Sequence, residues 1–539
     1  MRIIQPYLSP LRDLKGPPSP SWFFGHMKQM QEHGIVKCHE QWVEEYGPCS
    51  STRASLTCGD RLLTMDPRAV GHVLSHVQDY QKPEQLRYNL GQWMGHGLLF
   101  VEGDQHKQQR RIMSPAFGPP QIRALTHIFV NKSLQLRDCW LALVSQDAST
   151  PSGTTNTGEL RATIDVLSWL NKTTLDIIGL AGFNHSFDAL NPEQTPSELN
   201  EAVRMMFGSL NGGGGGMLAV LQTVLPMFRL IPTTVRRRVA TAQTTFRRIG
   251  MQLLAERKAA LRTSTTVQDD GAAKEIGQAD VKARDLLTLL VKANMASDVK
   301  DDARMSDEDV LAQVPTFLIA GHETTSTGVT WALYALSLYP ATQVALRAAL
   351  PPPPTEGITM EFLQDIPELD RVVREVMRLY APVPSTIRIA TRADVIPTTS
   401  EWEDKKGVRR SGITVAAGDA VIIPILALNR SPEIWGPDAR EFKPERWENI
   451  PEAAHSIPGV WGNSLAFSGG SRACIGYRFS VVEMKALLYV LVRAFSFSLT
   501  VPPESIRTRS VLVTRPYIDG KMDEGAQMPL YVSSVKEEE

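Results

Sequence analysis

Phe467-Ser-Gly-Gly-Ser-Arg-Ala-Cys-Ile-Gly476 sets one cysteine in a glycine-rich loop, directly before an apolar stretch of helical period, 477–494. Gly469, Gly470 and Gly476 open backbone conformations closed to other residues, so that amide groups can turn toward the sulfur and the chain can lie close to a flat cofactor. Arg472 is a permanent cation two residues before Cys474, suited to a carboxylate, and Phe467 is placed to cover one side of the sulfur. Two readings follow. Cys474 is a thiolate ligand to iron, or it is a buried structural cysteine in a Gly-Ser turn, a common fate of a free thiol.

Working outward, the next informative stretch is a helix expected over 306–339, opened by Ser306-Asp-Glu-Asp309, a hydroxyl and acids suited to a helix N-terminus. Within this apolar helix stands Ala320-Gly-His-Glu-Thr-Thr325. Buried polar residues in mid-helix cost free energy unless satisfied. Gly321 leaves room beside the helix, Thr324 offers a hydroxyl and Glu323 a carboxyl for proton transfer; a glycine-threonine packing notch is the alternative. Pro315 should kink the helix one turn upstream.

Glu375-Val-Met-Arg378 lies on a helix expected over 367–380, and its i, i+3 pair alone reads as surface decoration. Pro444-Glu-Arg446-Trp follows, and between them Arg388 lies in a strand-like run, 385–390. Far upstream, His106 and Arg110 share a helical face by their i, i+4 spacing, which in isolation describes a solvated face.

Taken in order, these segments resemble the cytochrome P-450 family over nearly the whole chain. Phe467, Gly470, Arg472, Cys474 and Gly476 match its haem-binding loop, and 320–325 matches its oxygen-activation segment. The resemblance implies a mainly α fold, a large helical domain with a small β-rich lobe, and haem b between the helix of Gly321 and the loop of Cys474. It implies Cys474 as the iron ligand, Thr324, Glu323 and Gly321 as the oxygen-activating residues, and His106, Arg110, Arg388, Phe467, Arg472 and Gly476 as haem-binding residues. His106 stands where the family commonly has tryptophan. Arg446 joins Glu375 and Arg378 in bracing the cysteine loop, a structural role.

Composition agrees with a globular protein: of 539 residues, 42% are hydrophobic and 21% charged, and 57 Lys+Arg against 58 Asp+Glu leave a formal net charge of −1. That balance carries no nucleic-acid footprint. The five cysteines are odd in number and scattered, which excludes a secreted disulfide framework or a zinc cluster. No run of about 18 apolar residues occurs, so no transmembrane helix is expected. The proline-rich start, Leu14-Lys-Gly-Pro-Pro18, resembles the hinge that follows a membrane anchor in microsomal members, giving a hinge over 1–26 and a haem domain over 27–539.

Elsewhere the spacing predicts helices over 34–46, 122–144, 162–180 and 235–261, strands over 61–65 and 421–425, and a loop over 80–103 lining a pocket or the surface. The glycine run 212–216 is a flexible joint, and the apolar 217–231 is suited either to a core or to lying in a membrane surface as a lid over the substrate entrance. No flavin or nicotinamide segment is evident. The resemblance, to fungal microsomal members in particular, therefore implies NADPH–cytochrome P-450 reductase as partner and the cytosolic face of the endoplasmic reticulum membrane as location. It further implies O2 as co-substrate and oxygen insertion into a C–H bond of an apolar small molecule, in specialised metabolism such as terpenoid biosynthesis. Fatty-acid or xenobiotic hydroxylation, or a haem-thiolate isomerase or dehydratase, are the alternatives.

Overall fold

The computed structural model describes residues 9–53, 59–147, 161–191, 198–211, 222, 228, 231, 233–266, 285–295 and 304–535. The glycine run 212–216 and most of 217–231 lie outside them. The chain gathers into two compact units, one of Met1–Arg87, Arg374–Cys474 and Thr508–Arg515, the other of Tyr88–Val373, Ile475–Arg507 and Pro516–Glu539.

The first unit is rich in strands. A five-stranded sheet runs in the order Cys49–Arg53, Asp60–Thr64, Ala420–Ile423, Thr386–Ala390, Tyr80–Gln81. The pair Asp60–Thr64 with Ala420–Ile423 is parallel and the others antiparallel. Leu63, Ile422 and Ile387 fall in register across three strands, and helix Ile35–Tyr46 lays Cys38 and Trp42 on them. All four residues of Ala420–Ile423 are buried, the mark of a central strand covered on both faces. The expected hinge is packed: Leu11 and Leu14 are buried, and Ser51 N–H donates to the Lys15 carbonyl at 2.9 Å.

The second unit is helical, with one three-stranded antiparallel sheet of Arg161–Asp165, Pro529–Ser534 and Phe495–Leu499. Helix Val166–Phe183 packs along Gln313–Leu338, and Tyr477–Ala494 along Pro119–Asp147. The apolar run expected as a helix from residue 162 begins instead as the strand Arg161–Asp165, because Ala162 to Asp165 find a strand partner more than 360 positions away. The loop expected over 80–103 contains helix Glu84–Met94. Its C-terminal carbonyls at Gly91 and Gln92 accept the Gln243 amide at 3.2 and 2.6 Å.

Candidate functional site

The cysteine loop takes its course from carbonyl groups that its glycines approach. A Cβ on Gly469 would stand 2.0 Å from the Pro458 oxygen, and one on Gly470 2.3 Å from the Leu74 oxygen. Gly470 also has φ +66°, a region L side chains avoid. These two glycines therefore answer to packing on helix Pro67–Ser75 and on the segment before the loop, rather than to the approach of a flat group. The Cys474 N–H donates to the Phe467 carbonyl at 2.9 Å and closes the turn. Phe467 is buried and meets Trp461 edge-on, with ring centroids 5.5 Å apart at 77°; the Arg374 guanidinium lies 5.1 Å over Trp461.

Cys474 itself is exposed, not a buried structural thiol. Cys38 is buried and Cys49 and Cys139 half-buried, all with thiols pushed up by burial, Cys49 to about 12. Among the described residues no group of three or more His, Cys, Asp or Glu is arranged to hold a metal ion. A single presented thiol would suit haem iron, which needs one ligand from the protein.

Behind the loop, a buried charge network fixes its approach. Glu375 and Arg378, both fully buried, form a two-armed pair, Nη2 to Oε1 at 2.8 Å and Nε to Oε2 at 2.9 Å. Arg446 Nε lies 3.4 Å from the same Oε1, while its Nη1 donates to Asp438 Oδ1 at 2.6 Å and to the Trp435 carbonyl at 2.9 Å. The hydrogen bond from Arg446, with a second from Lys443, draws the Asp438 carboxyl down to about 2. Trp447 Nε1 donates to Glu375 Oε2 at 3.0 Å. Arg378 Nη1 also donates to the Asn429 and Ala439 carbonyls at 2.9 and 2.6 Å, and the Asn429 side chain accepts the Leu465 N–H at 3.0 Å. Asn429, Asp438 and Trp447 escape sequence reasoning; only the Gly436-Pro-Asp438 turn and the Trp447 that ends Pro-Glu-Arg-Trp hint at two of them.

In the second unit the expected 306–339 helix is two: Asp307–Leu311, with a Ser306/Asp309 capping box, and Gln313–Leu338. They meet at Ala312, and Pro315 falls in the first turn of the longer helix, where no N–H is needed. Gln313 takes the Leu98 N–H at 2.9 Å and donates to Gln109 at 3.2 Å, and Thr316 donates to the Met94 carbonyl at 3.0 Å. A Cβ on Gly321 would stand 2.9 Å from Ile178 Cδ1, so the missing side chain serves contact with helix Val166–Phe183. Thr324 donates to the Ala320 carbonyl at 2.7 Å and is half-buried; Glu323 is buried.

His106 and Arg110 share a face of helix Gly103–Met113, with His106 buried. Arg388, on strand Thr386–Ala390 of the first unit, is buried and its Nη1 donates to Thr386 Oγ1 at 2.6 Å. Phe467 and Arg472 ride the cysteine loop. Gly476 caps helix Tyr477–Ala494, and a Cβ there would meet Phe117 at 3.7 Å, an ordinary contact.

Comparison with known proteins identifies the family. The Cytochrome P450 family model matches residues 15–519. Cytochrome P450 monooxygenase 205 of Postia placenta is 49% identical over 98% of this chain and 94% of its own length. Cytochrome P450 monooxygenase 128 of the same organism is 48% identical over the same shares. Cytochrome P450 monooxygenase claP of Ampulloclitocybe clavipes is 32% identical over 97% of this chain and 93% of its own. The chain belongs to the cytochrome P450 family, the haem-thiolate oxidoreductases, and is a monooxygenase.

Proposed function

We propose that this monooxygenase inserts one oxygen atom from O2 into a C–H bond of an apolar small molecule in fungal specialised metabolism, terpenoid oxidation being the first class to test. The observation that carries the reading is the exposed thiol of Cys474 on a loop braced by Glu375, Arg378 and Arg446. Haem b would take Cys474 as its iron ligand; His106, Arg110, Arg388 and Arg472 would hold its propionates and Phe467 would shield the sulfur. Haem b, when bound, supplies O2 activation, with the thiolate favouring O–O cleavage.

The chain's own groups do the rest. Thr324, whose hydroxyl donates to the Ala320 carbonyl in this structure, would deliver protons, and Glu323, buried on the same helix, would relay them from solvent. Phe117 and Phe317, edge-to-face at 5.5 Å and both buried, make the surroundings one turn before Gly321 apolar, in keeping with an apolar substrate. Electrons come from NADPH through a separate reductase. The exposed Arg236, Arg237 and Arg238 open the long helix Thr234–Thr266 directly after the apolar 217–231, a pairing suited to an anionic membrane surface. Among the described residues no helix is long and apolar enough to cross a membrane. The protein is placed on the cytosolic face of the endoplasmic reticulum by this reading.

The deciding experiment is the carbon monoxide difference spectrum of the reduced protein, wild type against Cys474→Ser. A strongly red-shifted thiolate band lost in the variant is expected, and a nitrogen-type band in folded wild type overturns the ligand assignment. Turnover of a terpenoid and fatty-acid panel with reductase and NADPH then separates the substrate classes.

A further inference from the structure

Leu350-Pro-Pro-Pro-Pro354 leaves helix Pro340–Ala349, and covalent geometry fixes its backbone. A proline ring holds its own φ near about −65°, and a residue that precedes proline is kept out of the helical region. Pro351, Pro352 and Pro353 meet both conditions at once. The run is therefore a polyproline II turn, with about three residues per turn and no amide hydrogen to donate. Leu350 is already extended, at φ −77° and ψ 113°.

Exposure along the run has the same period. Pro351 and Pro354 are half-buried, and Pro352 and Pro353 between them are exposed. A turn of about three residues puts 351 and 354 on one face, toward the protein, and leaves 352 and 353 as an outward ridge. The inner face is fastened at both ends. The Pro351 carbonyl accepts the Tyr489 hydroxyl at 2.8 Å and Arg493 Nη1 at 2.7 Å. The Pro354 carbonyl accepts the Gly357 N–H at 3.0 Å, where a φ of +95° turns the chain. Among the described residues no hydrogen bond reaches Pro352 or Pro353, so their rings and carbonyls are both open to a partner. Such a segment is ordered before any partner arrives, which removes much of the entropic cost of binding.

We propose that Pro352 and Pro353 form a docking ridge for a partner protein with a WW-type groove, in which one pair of adjacent polyproline II residues slots between two aromatic rings. One ridge fills one such slot. An SH3-type groove takes two, with a free basic side chain beside them. Arg347 cannot supply that charge, because its Nε and Nη2 turn inward to the Val492 and Phe495 carbonyls, each at 2.7 Å. Downstream stand Thr355, Glu356 and Gly357, none of them basic. An EVH1-type pocket takes a bulky side chain ahead of the prolines, and Leu350, 5% exposed, is already buried in this chain. A purely stiffening role would act through the unfolded chain instead, and melting temperature reads that role separately from binding.

The test titrates the full-chain, haem-loaded protein against a panel of purified WW domains, with SH3 domains alongside, by isothermal calorimetry. Expected are micromolar binding by at least one WW domain, a loss of about tenfold or more in the double variant Pro352→Ala/Pro353→Ala, and no binding by the SH3 domains. Thr355→Ala, outside the ridge, should bind as wild type does. Absence of WW binding, equal affinity in wild type and double variant, or SH3 binding in place of WW binding overturns the proposal. A lowered melting temperature with unchanged WW affinity also overturns it, by assigning the two prolines to stiffening alone. If the double variant does not fold, competition decides: a free peptide of residues 350–357 that fails to displace the wild-type protein from the WW domain refutes the ridge. These readouts are of binding and do not depend on the substrate class proposed above.

Discussion

Asn429 joins the buried arginine to the cysteine loop: its carbonyl accepts Arg378 Nη1 at 2.9 Å, and its side-chain oxygen accepts the Leu465 N–H at 3.0 Å. Leu465 in turn holds Ser468, whose N–H donates to the Leu465 carbonyl at 2.8 Å. Asn429→Ala leaves the buried Leu465 N–H without its acceptor, at a cost of about 1–3 kcal/mol. Thermal unfolding should show that loss, and haem retention during gel filtration should fall with it, while Asn429→Asp, which keeps an acceptor oxygen, retains more haem.

The Glu375–Arg378 pair has no exposed surface. Removing one partner strands a buried charge, which costs roughly 3–5 kcal/mol. Arg378→Ala should give little haem-loaded protein. Arg378→Lys should rescue poorly, because one ammonium cannot replace both arms to Glu375 and the carbonyl contacts at Asn429 and Ala439. Yield of carbon monoxide-binding protein is the measurement.

Gly321→Ala brings a methyl within 2.9 Å of Ile178 Cδ1. Overpacking of this kind costs about 1–3 kcal/mol, toward the low end because the tip of an isoleucine can turn. Adding Ile178→Val should recover part of the loss, and a double-mutant cycle on melting temperatures measures the coupling. Additive effects would show that Gly321 does not serve that helix contact.

His39, 2% exposed, has its proton affinity lowered by burial from 6.5 to about 4. Between those values the unfolded chain binds a proton that the folded chain refuses, so stability falls as pH drops through that window, by up to roughly 3 kcal/mol. His39→Leu should flatten this acid limb relative to wild type. Parallel denaturant titrations across the window test it, and parallel curves refute it.

Thr324→Ala removes a hydroxyl that donates only within its own helix, to Ala320, so stability should change by less than about 1 kcal/mol. Coupling of NADPH use to product should fall several-fold, with peroxide rising in step. Unchanged coupling would remove Thr324 from proton delivery.

The local pattern settled much of this protein unaided. The loop 467–476 could be read because glycines, an arginine and a cysteine at fixed offsets leave few physical uses for the set. Helix Tyr477–Ala494 has the bounds its periodicity implies, and Ser306 caps the helix it opens. Tertiary structure decided what depends on distant partners. Arg161–Asp165 is a strand because Pro529–Ser534 pairs with it, and Glu84–Met94 is helical despite Gly91 because the Gln243 amide holds its end. The glycines of the loop could be recognised from the chain, yet the reason for Gly469 and Gly470, the carbonyls of Pro458 and Leu74, lay outside any local window. Glu483 shows the limit most plainly. In sequence it is one acid among 58 acidic residues, and only the burial of both its oxygens between helices sets it apart, because desolvation belongs to the packed surroundings and leaves no mark on the chain that supplies them.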